Sequence, residues 1–323
     1  MSNKARNNIE ALNNAMDLAL GSDDKVVLYG EDVGFEGGVF RATAGLQKKY
    51  GEQRVWDSPI AEAALVGTAI GAALGGLKPI VEIQFDGFSF PGYMHLFAHA
   101  ARYRGRTRQQ RHVPMVLRIP MGGGIKALEH HSEALEAIFA HVPGLKVVYP
   151  SNPYDMKGLF LAAVADPDPV VFLEPKKTYR AFKQEIPDEA YTVEIGQANI
   201  IQEGKKLTLV TFGSPVIDCY NWIQAYGEDA VELIDLRTIS PWDKETVLES
   251  VRKTGRLLVV HEAVKSFSVS AEIIASVVEA GITLHKPPVR VTGWDISIPL
   301  AKAEHIQFKL EDRVNDAIKE LLA

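Results

Sequence analysis

Glu62 ends the segment Asp57-Ser58-Pro59-Ile60-Ala61-Glu62. Serine is a strong helix N-cap and proline suits a first helical turn, so this spacing predicts a helix that opens at Ser58 and holds Glu62 in its first turn. The unsatisfied N–H groups of that turn favour an ionised carboxylate, which can hold or pass a proton. On spacing alone the plainer reading, a solvated glutamate complementing the helix dipole, is the stronger. Gly67, Gly71 and Gly75 then recur every fourth residue, on one face. Each glycine costs roughly 1 kcal/mol against alanine inside a helix. Three such costs call for an offset, and very close approach of another helix or subunit supplies one. Glu62 would then stand at the mouth of a tight interface.

Other chemistry-bearing residues lie nearby in the chain. Histidine exchanges protons near neutral pH, and His130 and His131 are adjacent. Neighbours cannot both face one way, so at most one of them is catalytic. Gly122-Gly123-Gly124 could cradle a phosphate through backbone N–H groups, but no helix signature follows, and the run reads as a mobile loop at a site. Gly30-Glu31-Asp32 is an acidic loop, and Ala163 to Pro169 is a helix end leading into an acidic, proline-braced turn.

The elements that must position these groups alternate. Ile9, Leu12, Met16 and Leu20 keep helical spacing up to Gly21, and the buried-strand pattern Val26 to Tyr29 feeds the acidic loop. Strands follow near Ile80–Ile83, Met115–Ile119, Val147-Val148 and Val170–Leu173, with helices near 91–102, from Ser132 and after Pro153. Short apolar strands alternating with helices imply a parallel sheet covered on both faces. Residues 175–205 read as a long connection, followed by strands at Leu207–Phe212, Val231–Ile234, Leu257–Val260 and Val289–Val291. A last amphipathic helix carries Val314, Ile318, Leu321 and Leu322.

At 323 residues the chain is too long for one ordinary core, so two α/β domains are expected, over 1–190 and 191–323. Thirty-five Lys and Arg against 41 Asp and Glu give a net charge of -6, which disfavours a nucleic-acid surface. The basic run Arg102 to Arg111 reads as a solvated loop or partner contact. Cys219 is the sole cysteine, which excludes an intrachain disulfide and fits a reducing compartment. Met1 to Asn8 has no apolar run, and Ala63 to Leu77 is too short and weakly apolar to span a bilayer. A cytoplasmic or organelle-matrix protein is expected.

Six segments occur in order: Gly30-Glu31-Asp32-Val33-Gly34, Ser58 to Glu62, Glu82-Ile83-Gln84-Phe85, His130-His131-Ser132, Pro143 to Val148 and Asp235-Leu236-Arg237-Thr238. Together they resemble the β subunit of the thiamin-diphosphate-dependent 2-oxo acid dehydrogenase decarboxylase, in the transketolase-like superfamily, over nearly the whole chain. The resemblance implies an α/β protein: a pyrimidine-binding, parallel-sheet domain followed by a transketolase C-terminal-like domain for assembly. It implies thiamin diphosphate shared with an α subunit, which holds the diphosphate and magnesium through a Gly-Asp-Gly motif and a following Asn. This chain has Gly30-Glu31-Asp32 and no such Asn, so the diphosphate half of the site is absent from it. The matches put Glu62, Phe88 and Glu31 on the pyrimidine half. Glu62 would share a proton with the ring nitrogen, and Phe88 would offer a flat apolar face.

By the same resemblance His131 assists reductive acylation of lipoyl, with His130 structural. Met115, Ala163, Asp166 and Asp168 match a structural potassium site, whose oxygen ligands suit a hard cation; a simple capped turn is the alternative. The implied assembly is an α2β2 tetramer that passes its acyl group to a lipoyl-bearing transacylase, in a complex with dihydrolipoyl dehydrogenase, with no nucleic acid or membrane involved. The chain departs from the family at Val264 to Ser268 and at Gly293 to Pro299, both in the assembly domain. Pyruvate and branched-chain 2-oxo acids both remain open as substrates. An acetoin-cleaving complex and a non-catalytic assembly subunit are the rival readings.

Overall fold

The computed structural model describes residues 3–323. Its larger sheet has seven strands, in the order Thr238–Ser240, Lys146–Val148, Val170–Pro175, Val116–Met121, Lys78–Glu82, Val26–Gly30 and Val55–Asp57. The last six are mutually parallel, and Thr238–Ser240 pairs antiparallel with Lys146–Val148. Side chains alternate between faces along a strand. Val170 and Phe172 accordingly join one apolar cluster, Val171 and Leu173 another.

The first cluster is closed by the helices Asn8–Ser22 and Pro153–Ala165, through Leu12, Met16, Met156 and Phe160. Asn7 starts Asn8–Ser22 with a capping box: its side chain accepts from the Glu10 amide and the Glu10 carboxylate accepts from the Asn7 amide, each at 2.9 Å. The second cluster is closed by Glu62–Leu74 and by a rod over residues 93–106, whose middle, Leu96–Ala100, widens to a π-helix. It continues without a break into Val210, Phe212, Ile234 and Val259 of the following unit, so the two units share one core. Each fully buried Val, Leu, Ile or Phe contributes roughly 1.5–3 kcal/mol.

The second sheet runs Val289–Val291, Leu257–Val260, Leu207–Thr211, Val231–Asp235 and Asn199–Gln202, parallel except for the last. Helix Glu311–Leu322 closes it with Val314, Ile318 and Leu321. The expected connection over 175–205 contains two strands. Gln184–Pro187 pairs with Asn3–Arg6, and Asn199–Gln202 edges the second sheet; both are polar and partly exposed, so neither carries an apolar pattern. The helix expected from Ser132 begins at Glu136, after a short 3-10 turn at Glu129–His131.

Candidate active site

Parallel strands deliver ligand-binding loops at their carboxyl ends, and Glu31 follows Gly30 directly at such an end. A Cβ on Gly30 would fall 2.7 Å from the Glu82 carbonyl oxygen, so only glycine allows this strand to turn here. Asp57, at the end of the neighbouring strand, accepts from the amides of Gly34 (2.6 Å) and Phe35 (3.0 Å) and holds the loop beyond. Glu31 is 4% exposed, and its Oε1 has no partner among the described residues. Burial first, and then the charge of Glu62, push its carboxyl up to about 7.

Ser58 does not cap the helix that bears Glu62. The helix is Glu62–Leu74, its N-cap is Ala61 without a side-chain bond, and Glu62 is its first residue. Ser58 to Ala61 belong to no regular element, and the Ser58 hydroxyl is buried without a partner among the described residues. The displacement sharpens the electrostatics: Glu62 stands half-buried at the positive end of the helix and across from Glu31. The Ala61 amide, at the same turn, partly offsets the rise in the Glu31 pKa.

Phe88 and His131 form the second part. Phe88 ends the 3-10 turn Asp86–Phe88 and His131 ends Glu129–His131. Their rings meet edge to face at 5.1 Å, with Phe85 against His131 at 4.5 Å and against Phe88 at 5.6 Å. A Cβ on Gly87 would fall 2.3 Å from the His130 carbonyl oxygen, so the two turns touch backbone to backbone. His131 is half-buried and its Nδ1 lacks a partner among the described residues, whereas His130 is exposed and reaches Glu133 at 3.7 Å. The two histidines do diverge. The Phe88 segment also abuts the Glu62 helix, since a Cβ on Gly92 would lie 3.4 Å from the Glu62 carbonyl oxygen.

The sheet beneath holds charges that sequence reasoning passed over. Arg118, wholly buried, donates to Glu82 at 2.5 Å and to both oxygens of Glu174 at 2.7 and 3.0 Å, and Tyr179 donates to Glu174 at 2.7 Å. The signal was available, because Glu82 and Arg118 share register on adjacent apolar strands. Removing one partner of such a network costs several kcal/mol, about 3–5. Asp86 is fully buried with neither carboxylate oxygen partnered among the described residues, and burial holds its carboxyl well above the usual range. Lys176 Nζ, also buried, lies 5.4 Å from the Phe85 ring, and burial lowers its pKa.

The four residues matched to potassium lie at the opposite, amino-terminal ends of the strands. Met115 precedes the strand Val116–Met121, and its carbonyl accepts from the Val170 amide at 3.0 Å; that of Ala163 accepts from Asp166 at 3.3 Å. Lys146 donates to both oxygens of Asp166 at 2.7 and 2.6 Å. Asp168 is paired with Arg104 and lies 3.4 Å from His112. Protein cations already balance this turn, and a potassium ion would compete with Lys146. The arrangement does not fit the ion.

The pyrimidine half fits better. Glu31 Oε1 and the Ser58 hydroxyl are buried polar atoms with no partner among the described residues, and Phe88 is half-exposed. Glu31, Asp32, Glu62 and Glu82 crowd one another closely enough for the other three to raise the Glu31 pKa. Such a site repels a diphosphate but suits a ring bearing exchangeable N–H groups.

Residues 4–181 match the transketolase pyrimidine-binding domain and residues 196–312 the transketolase C-terminal domain. The chain is 65% identical over 321 residues to the pyruvate dehydrogenase E1 component subunit beta of Mycoplasma pneumoniae, covering 98% of each. It is 42% identical to the subunit of that name from Bacillus subtilis, over 97% of this chain and 98% of the other. Among solved structures, a split-gene transketolase described as an inactive beta4 tetramer shares the fold, with a TM-score of 0.77 at 20% identity and 98% of each chain covered.

Proposed function

The chain belongs to the β subunits of the pyruvate dehydrogenase E1 component, within the transketolase-like family, and from that membership we propose that Glu62, Glu31 and Phe88 form the pyrimidine half of its cofactor site and His131 its acyl-transfer group. As an E1 β subunit it serves a thiamin-diphosphate-dependent decarboxylase component acting on pyruvate, in complex with an α subunit. When bound, thiamin diphosphate supplies the nucleophilic carbon and the electron sink for decarboxylation.

The observation that carries the assignment is Glu31, buried with Oε1 unpartnered among the described residues and near enough to Glu62, at the helix start, for that charge to help raise it to about 7. The helix dipole favours negative charge on Glu62, and Glu31 beside it retains a proton into the neutral range. A carboxylate at the helix start can exchange a proton with the pyrimidine ring nitrogen, and that role falls to Glu62. Phe88 shields that exchange with a flat apolar face, and His131 holds a proton at an imidazole nitrogen for acyl transfer to lipoyl. The α subunit holds magnesium and the diphosphate, in an α2β2 tetramer, and a lipoyl-bearing transacylase and dihydrolipoyl dehydrogenase complete the assembly. No observation favours the acetoin-cleaving or the non-catalytic reading.

Glu62→Gln tests this in the reconstituted complex. Folding and assembly should persist while pyruvate turnover falls roughly 10²–10⁴-fold, the scale for losing a proton-transfer group. Near-normal decarboxylation would remove Glu62 from the role.

A further inference from the structure

The glycine loop is a cradle already filled by the chain itself. Gly122 and Gly124 have positive φ, as does Lys126, and in this alternating backbone the Gly124 and Lys126 N–H groups turn onto one anion, as in a nest. The anion is the carboxylate of Glu304, from the second domain. It accepts from the Gly124 amide at 3.2 Å, the Lys126 amide at 3.0 Å and the Ser132 hydroxyl at 3.4 Å. Glu304 is 4% exposed, Ser132 is fully buried, and Ser132 is the next residue after His131. Phe308, four residues on, braces the same loop: a Cβ on Gly123 would fall 2.0 Å from its ring.

We propose that Glu304 is a positioning residue for acyl transfer: its carboxylate fixes the 122–132 segment and so aims His131. The second domain thereby takes part in the reaction as well as in assembly. This rests on the reading of His131 as the acyl-transfer group. Two amide donors and a hydroxyl converge on one side chain across the domain junction, and nothing else among the described residues bonds those two amides. Glutamine at 304 could still accept from Gly124 but would set an NH2 against the Lys126 amide, so it should hold the loop less well than glutamate.

The test uses the reconstituted enzyme with Glu304→Ala, Glu304→Gln and His131→Ala. Glu304→Ala should speed amide exchange across 122–132 at least tenfold while the sheet amides keep their protection. It should cut lipoyl acylation about tenfold or more, with a smaller loss when decarboxylation is followed by an artificial electron acceptor, and Glu304→Gln should fall between. The emptied nest opens onto a cleft of about 600 Å³ lined by Lys126, Lys302 and Lys309, so millimolar formate should restore part of the lipoyl acylation in Glu304→Ala. Unchanged loop exchange overturns the proposal. So does loop exchange raised without loss of acylation while His131→Ala loses it, and so does failure of formate to restore either readout. If His131→Ala shows no selective loss, the His131 reading falls separately, and loop exchange with formate rescue then decides for or against Glu304 as the loop anchor.

Discussion

Glu62 and Glu31 illustrate how environment divides one residue type into two roles. Both are glutamates at strand-to-helix loops, but Glu31 is sealed in beside a like charge, whereas Glu62 keeps the helix N-terminus. His131 is separated from His130 in the same way, by a turn that packs one ring closely on Phe88 and Phe85 and leaves the other exposed, 6.3 Å from Phe88 and Phe90. His131→Ala should therefore depress transfer to lipoyl more than decarboxylation read with an artificial acceptor, and parallel assays of the two steps check it; equal losses would assign His131 to cofactor or fold. Glu62 and His131 could be proposed from sequence because short motifs carry them, and Phe88 because it closely follows another. Glu304 could not be, since it lies 172 positions from Ser132 and no local pattern marks a residue whose partners are that distant. Ser58 misled for a local reason: a good cap beside a proline looks like a helix start, but here Ser58 to Ala61 form an irregular link and the helix begins at Glu62.

Among the elements, the strands were the most legible, because most buried strands are short, mainly apolar runs and both faces of the sheet are covered. The polar edge strands at 184–187 and 199–202 were lost for the converse reason. The glycine-bearing helix gives the sharpest prediction at this scale. Gly71 is exposed, and a Cβ there would meet nothing within 4 Å, as expected of a face awaiting another chain. Gly67 behaves differently, its Cβ position lying 3.7 Å from the His95 ring within the chain. Gly71→Leu should leave the single chain folded, and even steadier by about 1 kcal/mol from helix propensity. It should also block close association, which sedimentation and a melting curve together would register. Unimpaired assembly would mean that the face is only solvated.

Across the whole molecule, buried carboxyls set the response to pH. Burial pushes Glu136, Glu262 and Asp235 up to about 7 each. A carboxyl raised in the folded state binds a proton that the unfolded chain has released, so its stabilisation is complete below the ordinary carboxyl range and is lost as pH climbs towards 7. The melting temperature should therefore fall between about pH 5 and pH 7.5, and a scanning-calorimetry series would show it; a rise over that interval would mean that these groups are ionised in the fold. The shared core joining the two units, and the Glu304 bond across them, make the chain one body, and by the function proposed above that body offers half of a cofactor site. Its pyrimidine half supplies a ring contact and a charge-assisted hydrogen bond, worth only a few kcal/mol before the cost of binding, or a Kd of about 1 mM at best. Isothermal calorimetry of thiamin diphosphate with magnesium into the purified chain, with and without its α subunit, tests that most directly. We expect binding no tighter than millimolar for the chain alone and recovery of tight binding together with pyruvate turnover once the α subunit is added. A micromolar or tighter site on the chain alone would contradict the division of the cofactor between two subunits.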